Sequence, residues 1–128
     1  MEPWISEHEP MDITVSSPAQ GVCVVHVVGE LDMLTAPALA ALLRAERANR
    51  PRVLVIDLTN LEFMGSSGLQ VLVDAKGTAG DSCQLALIIS PGHAVTRLLD
   101  ITGLTPHFEI FPTVSQAVAA LYRQTEHD

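Results

Sequence analysis

Residues Val53–Leu72, which read VLVIDLTNLEFMGSSGLQVL, give the clearest indication of the fold. It begins with Val53–Ile56, a continuous apolar run that is mostly β-branched and is followed by Asp57. Such runs are typical of strands covered on both faces, as in parallel sheets. A loop follows, and then two serines between glycines precede apolar residues at helical spacing. The stretch therefore predicts a buried strand, a loop and a helix.

The rest of the chain alternates in the same way between strand and helix patterns. Further strands are predicted at Asp12–Ser16, Val22–Val28, Leu85–Ile89 and His107–Phe111. Further helices are predicted from about 36 to 48, from Ser90 to near Gly103, and from Thr113 onward, while the helix at Leu69 ends near Gly77 and Gly80. The order ββαβαβαβα favours an α/β fold with a mostly parallel mixed sheet, right-handed crossovers and an antiparallel first hairpin.

Capping residues predict where the helices begin. Thr35 is the expected N-cap of the first helix, and Ser90 with Pro91 opens the third. Two capping boxes of the form S/T-x-x-Q are present, Ser67–Gln70 and Thr113–Gln116. Four local start signals thus support the four predicted helices.

The length of 128 residues suits a single domain with a substantial core. A hydrophobic fraction of 48% and a charged fraction of 17% exclude general disorder. Residues 1–11 are acidic, contain two prolines and show no period, so we predict an N-terminal arm there. The domain is expected over 12–124 and a short tail over 125–128.

The charge balance argues against nucleic-acid and membrane partners. Seven basic and fifteen acidic residues give a net charge of −8, which repels phosphate backbones and anionic lipid heads. No apolar run approaches the ~20 residues that span a bilayer. The start of the chain has no basic region followed by an apolar stretch, so we expect no signal peptide and a cytoplasmic location.

Cysteine and histidine residues give little support to metal or redox chemistry. Cys23 and Cys83 lie in or beside apolar runs and are predicted to be buried thiols, with a redox switch as the alternative. The five histidines show no metal-binding spacing, so no metal site and no cofactor are predicted. His26 lies within a valine run and is expected to be a hydrogen-bonded histidine.

The two serines carry the most informative chemistry. Ser66 and Ser67 stand between Gly65 and Gly68 where a helix opens. The glycines keep the backbone uncrowded, so that another protein can approach closely. Unpaired N–H groups at a helix start favour an anion, which makes a serine there a good acceptor of a phosphate. Helix capping, modification and a ligand pocket remain open as roles for this segment.

A family resemblance narrows these roles. The order of elements, the Gly29–Asp32 turn (GELD) after the second strand and the segment Met64–Leu72 (MGSSGLQVL) together resemble the STAS family. Within that family, the chain is most similar to the bacterial anti-sigma factor antagonists. The resemblance covers roughly residues 12–124.

The resemblance implies a partner-switching mechanism in transcription regulation. In this family the unphosphorylated antagonist binds an anti-sigma factor, often itself a serine kinase, and so releases a sigma factor. Phosphorylation of the serine that matches Ser67 ends the binding, and a serine phosphatase restores it. Asp32 matches the acidic residue of the loop after the second strand, which in the family lies near the serine and contributes to partner contact. The implied partner-binding residues are Glu30, Asp32, Met64, Gly65, Ser66, Ser67 and Gly68.

One departure and several alternatives accompany this interpretation. Family members that are phosphorylated commonly carry an aspartate where this chain has Gly65, which would alter kinase recognition or phosphoryl transfer. This departure mildly favours a STAS scaffold or a small-ligand module that binds a nucleotide or a lipid. A response-regulator receiver is disfavoured because Asp57 has no acidic pair beside it and Lys76 is the only lysine.

Enzymatic activity and oligomeric state are the remaining questions. The chain lacks G-x-S-x-G, P-loop and dinucleotide-binding motifs, so we predict no enzyme and no catalytic residues. Leu69 is expected in the core, whereas Met64 could face either the core or the partner. Free sheet edges are compatible with a monomer or a weak dimer.

Overall fold

The computed structural model describes residues 11–79 and 82–126. Residues 1–10 of the predicted arm and residues 127–128 of the predicted tail lie outside this range. The elements are, in chain order, β1 (Met11–Ser16), β2 (Val22–Leu31), α1 (Ala36–Arg47), β3 (Val53–Asp57), β4 (Leu61–Met64), α2 (Ser66–Ala79), β5 (Gln84–Ile88), α3 (Ala94–Ile101), a short 3₁₀ helix (Thr105–His107), β6 (Glu109–Phe111) and α4 (Val114–Glu126).

The strands form one mixed sheet in the order β1-β2-β3-β5-β6, with β4 paired to the far end of β2. β1 and β2 are antiparallel, and every other pairing is parallel. Both the predicted first hairpin and the predicted mostly parallel sheet are therefore confirmed.

Both faces of the sheet are covered by helices. Along β3, Leu54 and Ile56 face a core that includes side chains of α1, α2 and α3, while Val53 and Val55 face a second core with α4. All four side chains are buried, as the continuous apolar run predicts. Three helices on one face and one on the other leave part of β1 and β2 open beside α4.

The sheet contains one strand that the sequence does not predict. Leu61–Met64 lies in the predicted loop, but it forms β4 and pairs with β2, which runs on to Leu31 instead of ending at Val28. The predicted turn at Gly29–Asp32 is therefore largely strand. β2 changes partner from β3 to β4 at Gly29, where φ is +105° and the register shifts. A four-residue strand with two exposed residues at its centre has no alternating pattern to reveal it.

Two of the four predicted helix starts, those at Ser67 and Ser90, differ in the structure. Thr35 stands at the N-cap of α1, and Thr113 Oγ1 accepts a 3.2 Å bond from the N–H of Gln116. Helix α3, however, begins at Ala94, with His93 Nδ1 accepting from the N–H of Val95 at 3.1 Å. The predicted start at Ser90 is therefore wrong, because Gly92 adopts a φ of +82° and separates Ser90 from the helix.

The start of α2 packs tightly against the end of β2. The N–H of Gly65 donates to the carbonyl of Leu31 at 2.9 Å. A Cβ at Gly68 would lie 2.7 Å from Leu31 Cγ and 3.0 Å from Met64 Cγ, closer than real side chains approach. Leu31 is fully buried and has little room to move. Only glycine at position 68 allows the helix to approach this closely.

We expect Gly68→Ala to lower the free energy of unfolding by about 1–3 kcal/mol, because the added methyl overpacks the contact with Leu31. Gly77→Ala is the matched control, since it lies in the same helix with nothing within 4 Å of its Cβ position. Gly77→Ala should raise the free energy of unfolding by up to about 0.5–1 kcal/mol. Urea unfolding measures both variants, and a stabilising Gly68→Ala would contradict the close contact.

Candidate functional site

The register of β2 and β4 brings the predicted site residues together. Leu31 pairs with Met64 in parallel strands, so the residues that follow them, Asp32 and Gly65, emerge at the same edge of the sheet. This edge is formed by carboxyl ends of strands, where functional loops of α/β proteins collect. The predicted segments around Asp32 and Ser67 therefore lie at the same edge of the sheet.

Ser67 lies in the first turn of α2 and is partly exposed. The carbonyl of Gly65 accepts from the N–H of Leu69 at 3.1 Å, which makes Gly65 the N-cap and Ser66 and Ser67 the first two helical residues. Ser66 is exposed, whereas Ser67 is half-buried. N–H groups of a first helical turn have no acceptor within the helix and favour a negative charge. The Ser67 hydroxyl is thus placed where a phosphate could be carried.

The predicted capping box at Ser67–Gln70 is wrong. Ser67 is the second residue of the helix rather than the residue before it. The side chain of Gln70 does not return to Ser67, since its Nε2 donates to Asp74 Oδ1 at 2.9 Å. The S-x-x-Q pattern fits a helix that begins two residues later, and the Gly65–Leu31 bond sets the earlier start.

Asp32 holds together the loop that faces this helix start. One of its carboxylate oxygens, Oδ1, accepts from the backbone N–H groups of Leu34 and Thr35 at 2.9 and 3.1 Å. The Thr35 hydroxyl accepts from the N–H of Asp32 and donates to the carbonyl of Glu30, both within 2.9 Å. These bonds, the backbone bond to Thr35 foremost, lower the pKa of Asp32 below its ordinary value of 3.8. Asp32 is therefore negatively charged at neutral pH, and its carboxylate stabilises the conformation of the loop.

The other predicted site residues divide into exposed and buried groups. Glu30 and Ser66 are exposed. Met64 is only 8% exposed and belongs to the main core, and Leu69 is half-buried against the same core, as predicted. Gly68 is buried where α2 packs against Leu31 and Met64. The buried residues position the site, whereas the exposed ones form its surface.

Three large apolar residues at the site were not predicted. Met33 and Leu34, in the loop that Asp32 braces, are 76% and 82% exposed. Phe63, the partner of Glu30 in the β2–β4 register, is 52% exposed. Two adjacent apolar residues in a loop show no periodicity, so only their position after Leu31-Asp32 could have singled them out.

A polar chain elsewhere in the fold links the first three strands. Asp57 Oδ2 accepts from His26 Nδ1 at 3.0 Å, and His26 Nε2 lies 3.2 Å from Ser16 Oγ. Asp57 Oδ1 accepts from the N–H of Thr59 at 3.0 Å, which closes the turn after β3. The predicted hydrogen-bonded His26 is confirmed. The chain crosses β1, β2 and β3 on the open part of the sheet, and its bonds tie these strands together.

The thiols and the metal-binding residue types add no further chemistry to the site. Cys23 and Cys83 are buried and free, as predicted. Burial, aided by the Glu46 carboxylate, raises the pKa of Cys23 to about 12, so that the thiol stays protonated. Within residues 11–79 and 82–126, no group of three potential ligands could hold a metal ion. No helix in the described part of the chain is long and apolar enough to cross a membrane.

Comparison with known proteins decides the family. The family model of the STAS domain matches residues 16–117. The chain belongs to the STAS family. This STAS domain is 34% identical over 113 residues to the anti-sigma-F factor antagonist RsfB of Mycobacterium tuberculosis, with coverage of 88% of this chain and 92% of RsfB.

Solved structures agree with this assignment. The crystal structure of an anti-sigma factor antagonist from Mycobacterium paratuberculosis matches with a TM-score of 0.81 and 38% identity, over 88% of this STAS domain and 94% of that chain. The unphosphorylated form of the anti-sigma factor antagonist SpoIIAA matches with a TM-score of 0.72 and 18% identity, over 88% and 97% of the two chains. The SpoIIAA likeness shows a shared fold.

We expect the bonds of Asp32 to make stability depend on pH. Because folding lowers the pKa of Asp32, its stabilising contribution is complete above 3.8 and is lost as the pH falls through the folded-state pKa. Asp32→Asn keeps an acceptor but removes the charge. The stability difference between wild type and Asp32→Asn should therefore shrink in acid.

Thermal unfolding between neutral pH and about pH 2 measures this difference. Asp12→Asn, an exposed change on β1, controls for the loss of one negative charge. If the wild type remains more stable than Asp32→Asn by the same amount in acid, the charge of Asp32 does not stabilise the loop.

Proposed function

We propose that this STAS domain is an anti-sigma factor antagonist, which binds an anti-sigma factor through the edge that carries Asp32 and Ser67 and thereby releases a sigma factor. The observation that carries the proposal is the partly exposed Ser67 in the first turn of α2, beside the loop braced by Asp32. The identity of more than a third with a solved antagonist supports it. Sigma factors act in transcription, so the site of action would be the bacterial cytoplasm.

We propose further that phosphorylation of Ser67 switches this binding off. A phosphate adds about −1.5 to −2 charge at neutral pH. On the free protein, the start of α2 stabilises such a charge by roughly 0.3–1 kcal/mol. Within a tight interface the same charge loses its water without prepared donors, at a cost of several kcal/mol. Because each ~1.4 kcal/mol is tenfold in affinity, one phosphate suffices to dissociate the complex without a change of fold.

The proposed cycle includes a kinase and a phosphatase. The anti-sigma factor itself would act as the serine kinase, and a serine phosphatase would restore the binding form. The antagonist would act as a monomer or a weak dimer. Gly65, the N-cap of α2, places no carboxylate beside the phosphate. Its absent side chain also leaves the first-turn N–H groups uncapped, which favours the phosphorylated form of the free protein.

A small-ligand module is the second candidate function. A groove of about 270 Å³ lies between β4 and α3, lined by Glu62, Phe63, Met64, His93, Ala94, Val95, Arg97, Leu98 and Ile101. Its lining is mostly apolar, which suits part of a nucleotide or a lipid. Ligand pockets usually measure about 300–1,000 Å³. The groove is slightly smaller than that range, so protein binding is the better-supported function.

The substitution Ser67→Asp should weaken binding to the anti-sigma factor about a hundredfold or more, because it introduces a charge into the proposed interface. Ser67→Ala should bind like the wild type. Ser115→Asp is the matched control, since Ser115 is the exposed second residue of α4, just as Ser67 is the second residue of α2. Isothermal titration with purified anti-sigma factors of the source bacterium measures the affinities. Equal affinities of Ser67→Asp and Ser67→Ala would refute the switch.

Incubation with the anti-sigma kinases of the source bacterium and ATP should add phosphate to Ser67. Mass spectrometry of the peptide 63–76 identifies the position, and Ser67→Ala should remain unmodified while Ser66→Ala is modified. Gly65→Asp restores the family's acidic residue, and its Cβ would lie 3.4 Å from the Phe63 ring, an ordinary contact. We expect a faster rate of phosphorylation of Gly65→Asp, because the kinase would recognise the family's acidic residue, although the phosphorylated product would be less stable beside that carboxylate. Phosphate on Ser66 alone would show that the modified serine was misassigned.

A further inference from the structure

The loop after β2 holds two large apolar side chains in water. Met33 and Leu34 are 76% and 82% exposed, although neighbouring Leu31 and Thr35 are buried. The bonds of Asp32 and Thr35 tie the backbone on both sides of the pair. The loop therefore presents these side chains in a fixed conformation instead of folding them into the core. Exposed apolar groups on a braced loop are typical of an interaction surface.

The neighbouring strand extends this surface. Phe63 on β4 is half exposed and is the register partner of Glu30 on β2. Glu62 beside it is also exposed. We call Glu30, Asp32, Met33, Leu34, Glu62 and Phe63 together the acidic apolar edge. The Phe63 ring lies 3.4 Å from the Cβ position of Gly65, so the edge borders the start of α2, where Ser67 lies.

The charged side chains of the edge itself are all acidic, although His93 and Arg97 share the adjoining groove with Glu62 and Phe63. Residues 29–35 and 61–69 contain three carboxylates and no lysine, arginine or histidine. The whole chain carries a net charge of −8. A partner that covers the edge must therefore supply positive charge around an apolar centre, since like charges across an interface are strongly unfavourable.

We propose that the acidic apolar edge docks on an apolar depression of the anti-sigma factor that is bordered by lysine or arginine side chains. This proposal rests on the proposed function and names the chemistry of its partner. Met33 and Leu34 fill the depression and slow dissociation, whereas the carboxylates speed association and make it dependent on salt. A phosphate on Ser67 acts beside this edge, so the apolar anchors and the charge switch are separate parts of one interface.

A second copy of this chain fits the edge less well. A two-fold symmetric contact would place the same surface on both sides. The carboxylates of Glu30, Asp32 and Glu62 would then face those of the other copy. Repulsion between these groups disfavours self-association and favours a partner of opposite charge.

The test compares the double variant Met33→Ala/Leu34→Ala with wild type in titrations against each purified anti-sigma factor of the source bacterium. The double variant should bind at least about tenfold more weakly, with most of the loss in the dissociation rate. Val15→Ala is the matched control, because Val15 is an exposed apolar residue near the opposite end of β2. The melting temperature of all three proteins should be similar, since the changed side chains are exposed.

The contribution of the carboxylates is measured separately, as the association rate and its dependence on salt. Glu30→Gln/Glu62→Gln should lower the association rate and flatten its dependence on salt, with little change in the dissociation rate. Binding of Met33→Ala/Leu34→Ala within twofold of wild type would overturn the proposal and leave the proposed function intact, provided that Ser67→Asp still abolishes binding. Failure of the wild type to bind any anti-sigma factor would overturn both. A wild-type dimer in sedimentation that Met33→Ala/Leu34→Ala dissociates would assign the edge to self-association and overturn the docking.

Discussion

The site depends on the close approach between the end of β2 and the start of α2. Leu31 is fully buried, and the helix that covers it begins with a glycine N-cap and carries a second glycine at position 68. The backbone bond from Gly65 to Leu31 joins the two elements at the sheet edge. Because this contact leaves no room for adjustment, it sets where the two serines stand relative to Asp32. The placement of the functional surface is thus a consequence of core packing.

The loop after β2 differs from a typical surface loop, because its polar side chains are bonded within the loop while its apolar side chains are exposed to water. The hydrogen bonds of Asp32 and Thr35 are satisfied within the loop itself. Their neighbours Met33 and Leu34 find no place in the core and remain in water. A loop that is rigid by its own bonds presents apolar groups without a large ordering cost on binding. In the proposed switch, a charge added at Ser67 would act directly on such a surface, with the fold unchanged.

Gly65 illustrates how one missing side chain affects both stability and chemistry. An aspartate at this N-cap would accept a bond from the first turn and stabilise the helix. Glycine leaves those N–H groups available to an anion and keeps one carboxylate away from Ser67. Compared with aspartate, glycine at position 65 therefore lowers the stability of the helix and leaves less negative charge around Ser67. In the proposed phosphorylated form, the phosphate on Ser67 would therefore meet no carboxylate from position 65.

Features that leave a local sequence pattern could be predicted from the sequence. These are the apolar run of β3, the apolar spacing of the helices, the glycine-flanked serines and the Thr113 cap. The extension of β2, the existence of β4 and the exposure of Met33 and Leu34 became visible only in the folded structure. Strand β4 forms because β2, which is distant in the sequence, offers it hydrogen bonds, with Gly29 paired to Leu61. Exposure depends on what the rest of the fold leaves uncovered. No local pattern contains either piece of information.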